Sequence, residues 1–205
     1  DGIETLKRLL TENPDLQVIL LTGRATVRKG VEAMASGDND HAEEEFGDVF
    51  FILTNADNAK DFKIMTAPVD APQKKNWSEL VAHKPGRLIL SVQAYKDFIV
   101  WLERENSLPR IVVRDRATGE EHAIAFDEEA YSLGMSAGYE FDTTTLRFTY
   151  SSMTTPAQVF DYDMASRERI LRKTQEVPSG HNPDDYVTRR IMAPAADGEQ
   201  VPVSL

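Results

Sequence analysis

Val49-Phe50-Phe51-Ile52-Leu53-Thr54-Asn55 has two counterparts further along the chain, Phe98-Ile99-Val100-Trp101-Leu102-Glu103-Arg104 and Leu146-Arg147-Phe148-Thr149-Tyr150-Ser151-Ser152. Each is short, rich in β-branched and aromatic residues and bounded by turn formers, so each is predicted to be a strand. They recur at a period of about 49 residues, a spacing that marks propellers, solenoids and other arrays of one repeated unit. A second strand follows each: Phe62 to Val69, Arg110 to Arg114 and Gln158 to Asp163. A third comes after the next turn, at Ser78 to Val81, Glu121 to Phe126 and Glu168 to Lys173. Ala117-Thr118-Gly119 and Ala165-Ser166-Arg167 punctuate equivalent places, while Leu88 to Val92 and Ala130 to Met135 can supply the remaining strands. Four strands per unit in about three units, without helices between them, predict a mainly β fold: a partial β-propeller of four-stranded blades. Three blades do not close a ring, so further blades are expected on the N-terminal side.

Outward from this repeat, the N-terminal segment reads differently. Ile3, Leu6, Leu9 and Leu10 recur at helical spacing up to Pro14, Leu16 to Leu21 is an almost unbroken apolar run, and Val27, Val31, Met34 and Ala35 are again three or four apart before Gly37. The expectation is a short α/β segment, helix, buried parallel strand, helix, over 1–37. An acidic joint, Asp38 to Glu45, leads into the β-rich part. The divisions expected are 1–37, 38–176 for the partial propeller and 177–205 for a terminal hairpin segment. The chain starts without Met and ends on Val203-Ser204-Leu205 in mid-pattern, as a piece of a longer protein would.

Composition limits the chemistry. The chain of 205 residues carries 23 Lys plus Arg against 34 Asp plus Glu, a net charge of −11, and the basic residues form no cluster, which argues against nucleic acid as a partner. There are no cysteines, so thiolate metal sites, cysteine nucleophiles and disulfides are excluded. No apolar run approaches the ~18 residues of a membrane span. A soluble chain is expected, in a reducing compartment, with no cofactor and no metal.

Gly134-Met135-Ser136-Ala137-Gly138 satisfies G-x-S-x-G, the turn that exposes a hydrolase serine, and Asp161 and His181 follow in hydrolase order. That turn requires a helix after the serine, whereas Tyr139 to Thr145 is β-branched and turn-rich; a glycine-rich bend between strands is the expectation. His41, His83, His122 and His181 stand far apart, with no metal-ligand spacing. Asp161 and Asp163 share one face of a strand with Phe160 and Tyr162 on the other, and carboxylates paired for glycoside hydrolysis come from separate elements. Glu43-Glu44-Glu45 reads as a solvated surface. Trp77, Trp101, Phe148 and Tyr150 fall at strand positions suited to packing between blades. No catalytic, cofactor-binding or metal-binding residue is assigned.

The wording of the strands resembles the propeller of the prolyl oligopeptidase family of serine peptidases, most closely oligopeptidase B. The resemblance is carried by Asp61-Phe62-Lys63-Ile64-Met65-Thr66-Ala67-Pro68-Val69-Asp70, Asn76-Trp77-Ser78-Glu79-Leu80-Val81, Leu108-Pro109-Arg110, Phe141-Asp142-Thr143-Thr144-Thr145-Leu146-Arg147-Phe148 and Tyr150-Ser151-Ser152-Met153-Thr154-Thr155-Pro156. It covers about 46 to 205. It implies that Glu176-Val177-Pro178 leaves the last blade and that Tyr186 to Leu205 forms the hairpin opening an α/β-hydrolase domain. The family's catalytic Ser, Asp and His would then lie beyond Leu205. The implied role is a non-catalytic, substrate-gating propeller of a cytoplasmic peptidase that cuts short peptides after Arg or Lys, with the hydrolase domain as its partner.

Residues 1–37 resemble the middle of a response-regulator receiver domain: Asp1-Gly2 matches the end of its Met-Asp-Gly turn, and Pro14 to Gly23 matches a strand ending in the switch hydroxyl, here Thr22. The family's phosphoacceptor and acidic pair would precede Asp1, and its last strand is missing after Gly37, which implies an inactive fragment. Two other readings stand beside the peptidase one: a signalling protein with a β-repeat binding module, and a freestanding binding propeller.

Overall fold

The computed structural model of the chain describes residues 18–21, 49–136 and 140–205. Fourteen strands occur among them: β1 (Val18–Leu21), β2 (Val49–Thr54), β3 (Lys63–Pro68), β4 (Ser78–Val81), β5 (Arg87–Ala94), β6 (Phe98–Glu105), β7 (Leu108–Asp115), β8 (Glu121–Ala123), β9 (Ser132–Met135), β10 (Thr145–Ser151), β11 (Gln158–Asp163), β12 (Arg169–Thr174), β13 (Arg190–Pro194) and β14 (Gln200–Ser204). They form three four-stranded antiparallel meanders, β1 to β4, β5 to β8 and β9 to β12, and one hairpin, β13 with β14. The predicted partial propeller is therefore observed, with its strands where the 49-residue pattern placed them.

Alternation explains how the sheets stack. Along β6, Ile99 and Trp101 point into one core with Phe51, Leu53, Ile64 and Val81 of the first sheet. Phe98 and Val100 point the other way, into a core with Leu146, Phe148, Tyr150 and Tyr162 of the third. Period-two alternation with both faces apolar thus makes the middle sheet a layer between two neighbours. Ile99, Val100 and Trp101 are all within 2% of complete burial. Each such side chain contributes about 1.5–3 kcal/mol by leaving water. Trp101, Phe148 and Tyr150 accordingly pack between sheets as expected; Trp77 instead packs beside Phe50 on the far face of the first sheet.

Trp101 brings a polar atom into this core. Its indole Nε1 donates to Glu103 Oε2 at 2.8 Å, and Arg110 donates to the other oxygen through Nε at 3.1 Å and through Nη2. Glu103 is 1% exposed, so its charge is tolerable only because both oxygens are occupied.

The turns follow their chemistry. Asn106 and Ser107 take positive φ values of 50° and 64° between the paired residues Glu105 and Leu108, the geometry of a two-residue hairpin turn whose twist matches the strands. Asp115 Oδ1 accepts from the amides of Ala117 and Thr118, and Asp163 Oδ1 accepts from those of Ala165 and Ser166.

Two expectations change. The apolar run predicted as a parallel strand is antiparallel: β1 pairs with β2, Val18 opposite Thr54 and Leu21 opposite Phe51. An unbroken apolar run does not by itself specify the direction of the neighbouring strand. The flanking helices, the acidic joint and the boundary near Gly37 lie outside the described residues. Gly134, the first residue of the glycine-rich pattern expected to bend, lies inside β9 opposite Thr149, within the strand expected over Ala130 to Met135. A Cβ on Gly134 would stand 2.8 Å from Thr149 Oγ1, so the close approach of the neighbouring side chain, not a bend, accounts for glycine there. No helix among the described residues is long and apolar enough to cross a membrane.

Candidate functional site at the junction of the third sheet and the hairpin

The loop before β9 carries two adjacent glutamates with different tasks. Glu128 Oε1 accepts from Ser152 Oγ at 2.8 Å, Thr154 Oγ1 at 2.7 Å and Thr155 Oγ1 at 3.1 Å, and Oε2 accepts from the Tyr150 hydroxyl. Burial works to raise its pKa, but the four hydroxyl donors outweigh it and hold the carboxyl below its ordinary value. The same bond, added to burial, pushes the Tyr150 phenol up. The loop at 152–155 is thereby folded around one carboxylate, and Ser152 Oγ also accepts from the Thr154 and Thr155 amides at 3.0 and 2.8 Å.

Glu129 reaches the hairpin. Its Oε2 accepts from the Arg190 amide at 2.8 Å and its Oε1 from Arg189 Nη1 at 3.0 Å, and these bonds lower its pKa. Thr188, 5% exposed, meets Thr154 hydroxyl to hydroxyl at 3.0 Å. His181 donates from Nε2 to the Thr154 carbonyl at 2.7 Å and stacks on Tyr186 with ring centroids 5.4 Å apart. The segment between β12 and β13 is thus tied to the third sheet by side chains rather than by a ladder.

Between them lies an open cavity of about 510 Å³. Its charged lining is Asp127, Glu128, Glu129 and Asp184 against Arg169 and Arg189, an acidic excess. Arg169 stands 5.1 Å from the ring centres of both Phe126 and Phe160, so its charge rests on aromatic faces. A cleft with this lining attracts cations.

The elbow residues do not assemble. The Ser136 amide donates to the Arg147 carbonyl at 3.1 Å and its carbonyl accepts from Gln93 Nε2 at 3.2 Å, which continues the strand ladder. Among the described residues between Ser136 and β10, 140–144 bend and form no helix. Asp161 is clamped by Arg147 through Oδ1 at 2.7 Å and Oδ2 at 2.9 Å and by Arg172 at 2.7 Å, so it orients no imidazole. These arginines, Arg147 foremost, hold its pKa down against burial. Asp163 caps its turn. His122 Nε2 lies 2.8 Å from the Tyr162 hydroxyl and His83 Nε2 3.7 Å from Asp61, each a separate environment; His41 lies outside the described residues. No group of three or more His, Asp or Glu among the described residues is arranged to hold a metal. Glu128, Glu129 and Thr188 do not stand out in the sequence because their partners are long-range. The run of hydroxyls from Ser151 to Thr155 is the available signal, since such a run needs an acceptor.

Residues 20–175 match the model of the prolyl oligopeptidase N-terminal β-propeller domain. The chain belongs to the prolyl oligopeptidase family. It is 40% identical over 169 residues to the dipeptidyl aminopeptidase BI of Pseudoxanthomonas mexicana, covering 82% of this chain and 23% of that protein. Among solved structures it is similar to oligopeptidase B of Trypanosoma brucei, in a closed form with covalently bound antipain. There the TM-score is 0.71 at 26% identity, over 92% of this chain and 24% of the other. For Leishmania major oligopeptidase B the TM-score is 0.68 at 27% identity, over 78% and 24%. The chain thus spans about a quarter of the length of these relatives. The match begins at residue 20, within the receiver-like stretch, and the strand there is part of the first propeller sheet. The signalling alternative receives no support from these comparisons.

Proposed function

We propose that this chain is the gating part of a cytoplasmic serine endopeptidase that hydrolyses short peptides after Arg or Lys, with the propeller running from β1 to about residue 176 rather than from residue 38, 177–205 as hinge and opening hairpin, and an α/β-hydrolase domain as partner. The hydrolase domain supplies the nucleophile, base and orienting acid. The propeller supplies exclusion: rigid sheets stacked through apolar cores limit what reaches the scissile bond, and movement at the hinge admits it.

The observation that carries the reading is the family match over residues 20–175, which ends just where the side-chain-tethered segment begins. Preference for cationic substrates is supported by the net charge of −11 and by the acidic excess around the 510 Å³ cavity. Attachment of residues 181–190 through a few side-chain bonds suits a hinge, because such bonds break and re-form at small cost compared with a strand ladder.

The test is made on an intact peptidase containing this propeller, offered a short arginyl peptide and a folded protein with exposed arginines. The peptide is expected to be cut and the folded protein spared, with cleavage of the peptide slowing as salt is raised. Equal cutting of both would remove the gating role, and equal rates on glutamyl and arginyl peptides would remove the charge preference.

A further inference from the structure

A second cavity, of about 350 Å³, lies among the β6–β7 turn of the second sheet, the third sheet and the hairpin. Its wall includes Ser107, Ser132, Ser151 and Ser204, the Tyr131 ring and Arg190, and no Asp or Glu lines it. Arg190 is anchored through its backbone, whose amide donates to Glu129. Its Nη2 is buried and has no hydrogen-bond partner among the described residues. A buried guanidinium N–H without an acceptor is costly, and a planar fork of donors is matched best by a carboxylate.

Two strand edges meet at this cavity. Among the described residues β9 pairs only with β10 and β14 only with β13, so the edges carrying Ser132 and Ser204 have backbone groups free of ladder bonds on their outer sides. An extended peptide can add to such an edge. Leu108, Met153 and Pro202 give the wall apolar patches that a small inorganic anion does not need.

We propose that this cavity binds the C-terminal carboxylate of a short extended peptide, with Arg190 taking the carboxylate and the serine hydroxyls and strand edges taking the preceding peptide groups. The site is defined by binding alone, so it stands or falls separately from the proposed hydrolysis.

The experiment is an NMR titration of the 205-residue chain with N-acetyl-glycyl-glycine, with its C-terminal amide and with inorganic phosphate. The acid is expected to bind about tenfold or more tightly than the amide, the gain from one charge-assisted pair. Phosphate is expected to bind more weakly than the acid. Arg190→Gln should reduce the acid to the level of the amide. Ser151→Val fills the wall while sparing the guanidinium; it should weaken the acid at least fivefold and serves as the reading of the site should Arg190→Gln lower the unfolding temperature. Equal affinity of acid and amide, phosphate binding as tightly as the peptide, or neither variant weakening the acid would overturn the proposal.

Discussion

Asp115 and Asp163 do the same work in successive sheets: each caps the turn after the third strand of its blade, and the amides of Gly119 and Arg167 donate back to their respective carbonyls at 2.9 and 2.8 Å. The positive φ of 75° at Gly119 recurs as 65° at Arg167. Glycine adopts that geometry without cost, whereas arginine is strained there.

Asp163→Ala removes both turn bonds and is expected to cost about 1 kcal/mol, seen as a lower urea midpoint at unchanged slope. Arg167→Gly should raise the midpoint or leave it unchanged, because relief of strain opposes the greater freedom of the unfolded chain. A clear loss would show that the Arg167 pair with Glu120 matters more than the turn.

Glu103→Ala leaves the Trp101 indole and one side of Arg110 without an acceptor inside the core. The loss should be about 3 kcal/mol, at the lower end for a broken buried pair because Arg110 still reaches Glu105 at 3.2 Å. Thermal unfolding would measure it, and a change below about 0.5 kcal/mol, the size of a surface effect, would mean that the cluster is not buried in solution.

Gly134→Ala forces its new methyl against Thr149 Oγ1 and is expected to cost about 1–3 kcal/mol as overpacking. Thr149→Ala should recover much of that loss. The coupling in this double-mutant cycle checks the register of β9 on β10, and strict additivity would contradict it.

Glu128 sets an acid limit. Its folded pKa lies below the ordinary 4.5, so its contribution is complete above that value and is lost as pH falls through the depressed folded one. Asp161, depressed from 3.8 chiefly by Arg147, follows at lower pH. The unfolding temperature should therefore begin to fall below about pH 4.5, and Glu128→Gln should flatten that fall while lowering stability at neutral pH. An identical acid profile in the variant would show that the hydroxyl cluster does not form.

How far the fold and the site are legible in the sequence depends on the range of each interaction. The alternation Phe98, Val100 against Ile99, Trp101 is local, and so is the turn chemistry at Asp115 and Asp163; both can be read directly, and the repeat supports one with the other. The pairing of β1 cannot, since an apolar run does not say whether its neighbour is parallel. Glu128 is silent in the sequence because its donors, Tyr150 to Thr155, lie more than twenty residues away and meet it only when β9 and β10 pair. Ser136 is legible from the residues after it: Tyr139 to Thr145 is β-branched and turn-rich, unlike the helix an elbow needs, and the Ser136 amide joins the strand ladder at Arg147.

The central proposal is that this polypeptide gates a peptidase whose partner domain does the cutting. Incubating the purified 205-residue chain with an arginyl reporter peptide, beside its Ser136→Ala variant, tests that most directly. The account predicts no cleavage by either; hydrolysis by the first that disappears in the second would contradict it.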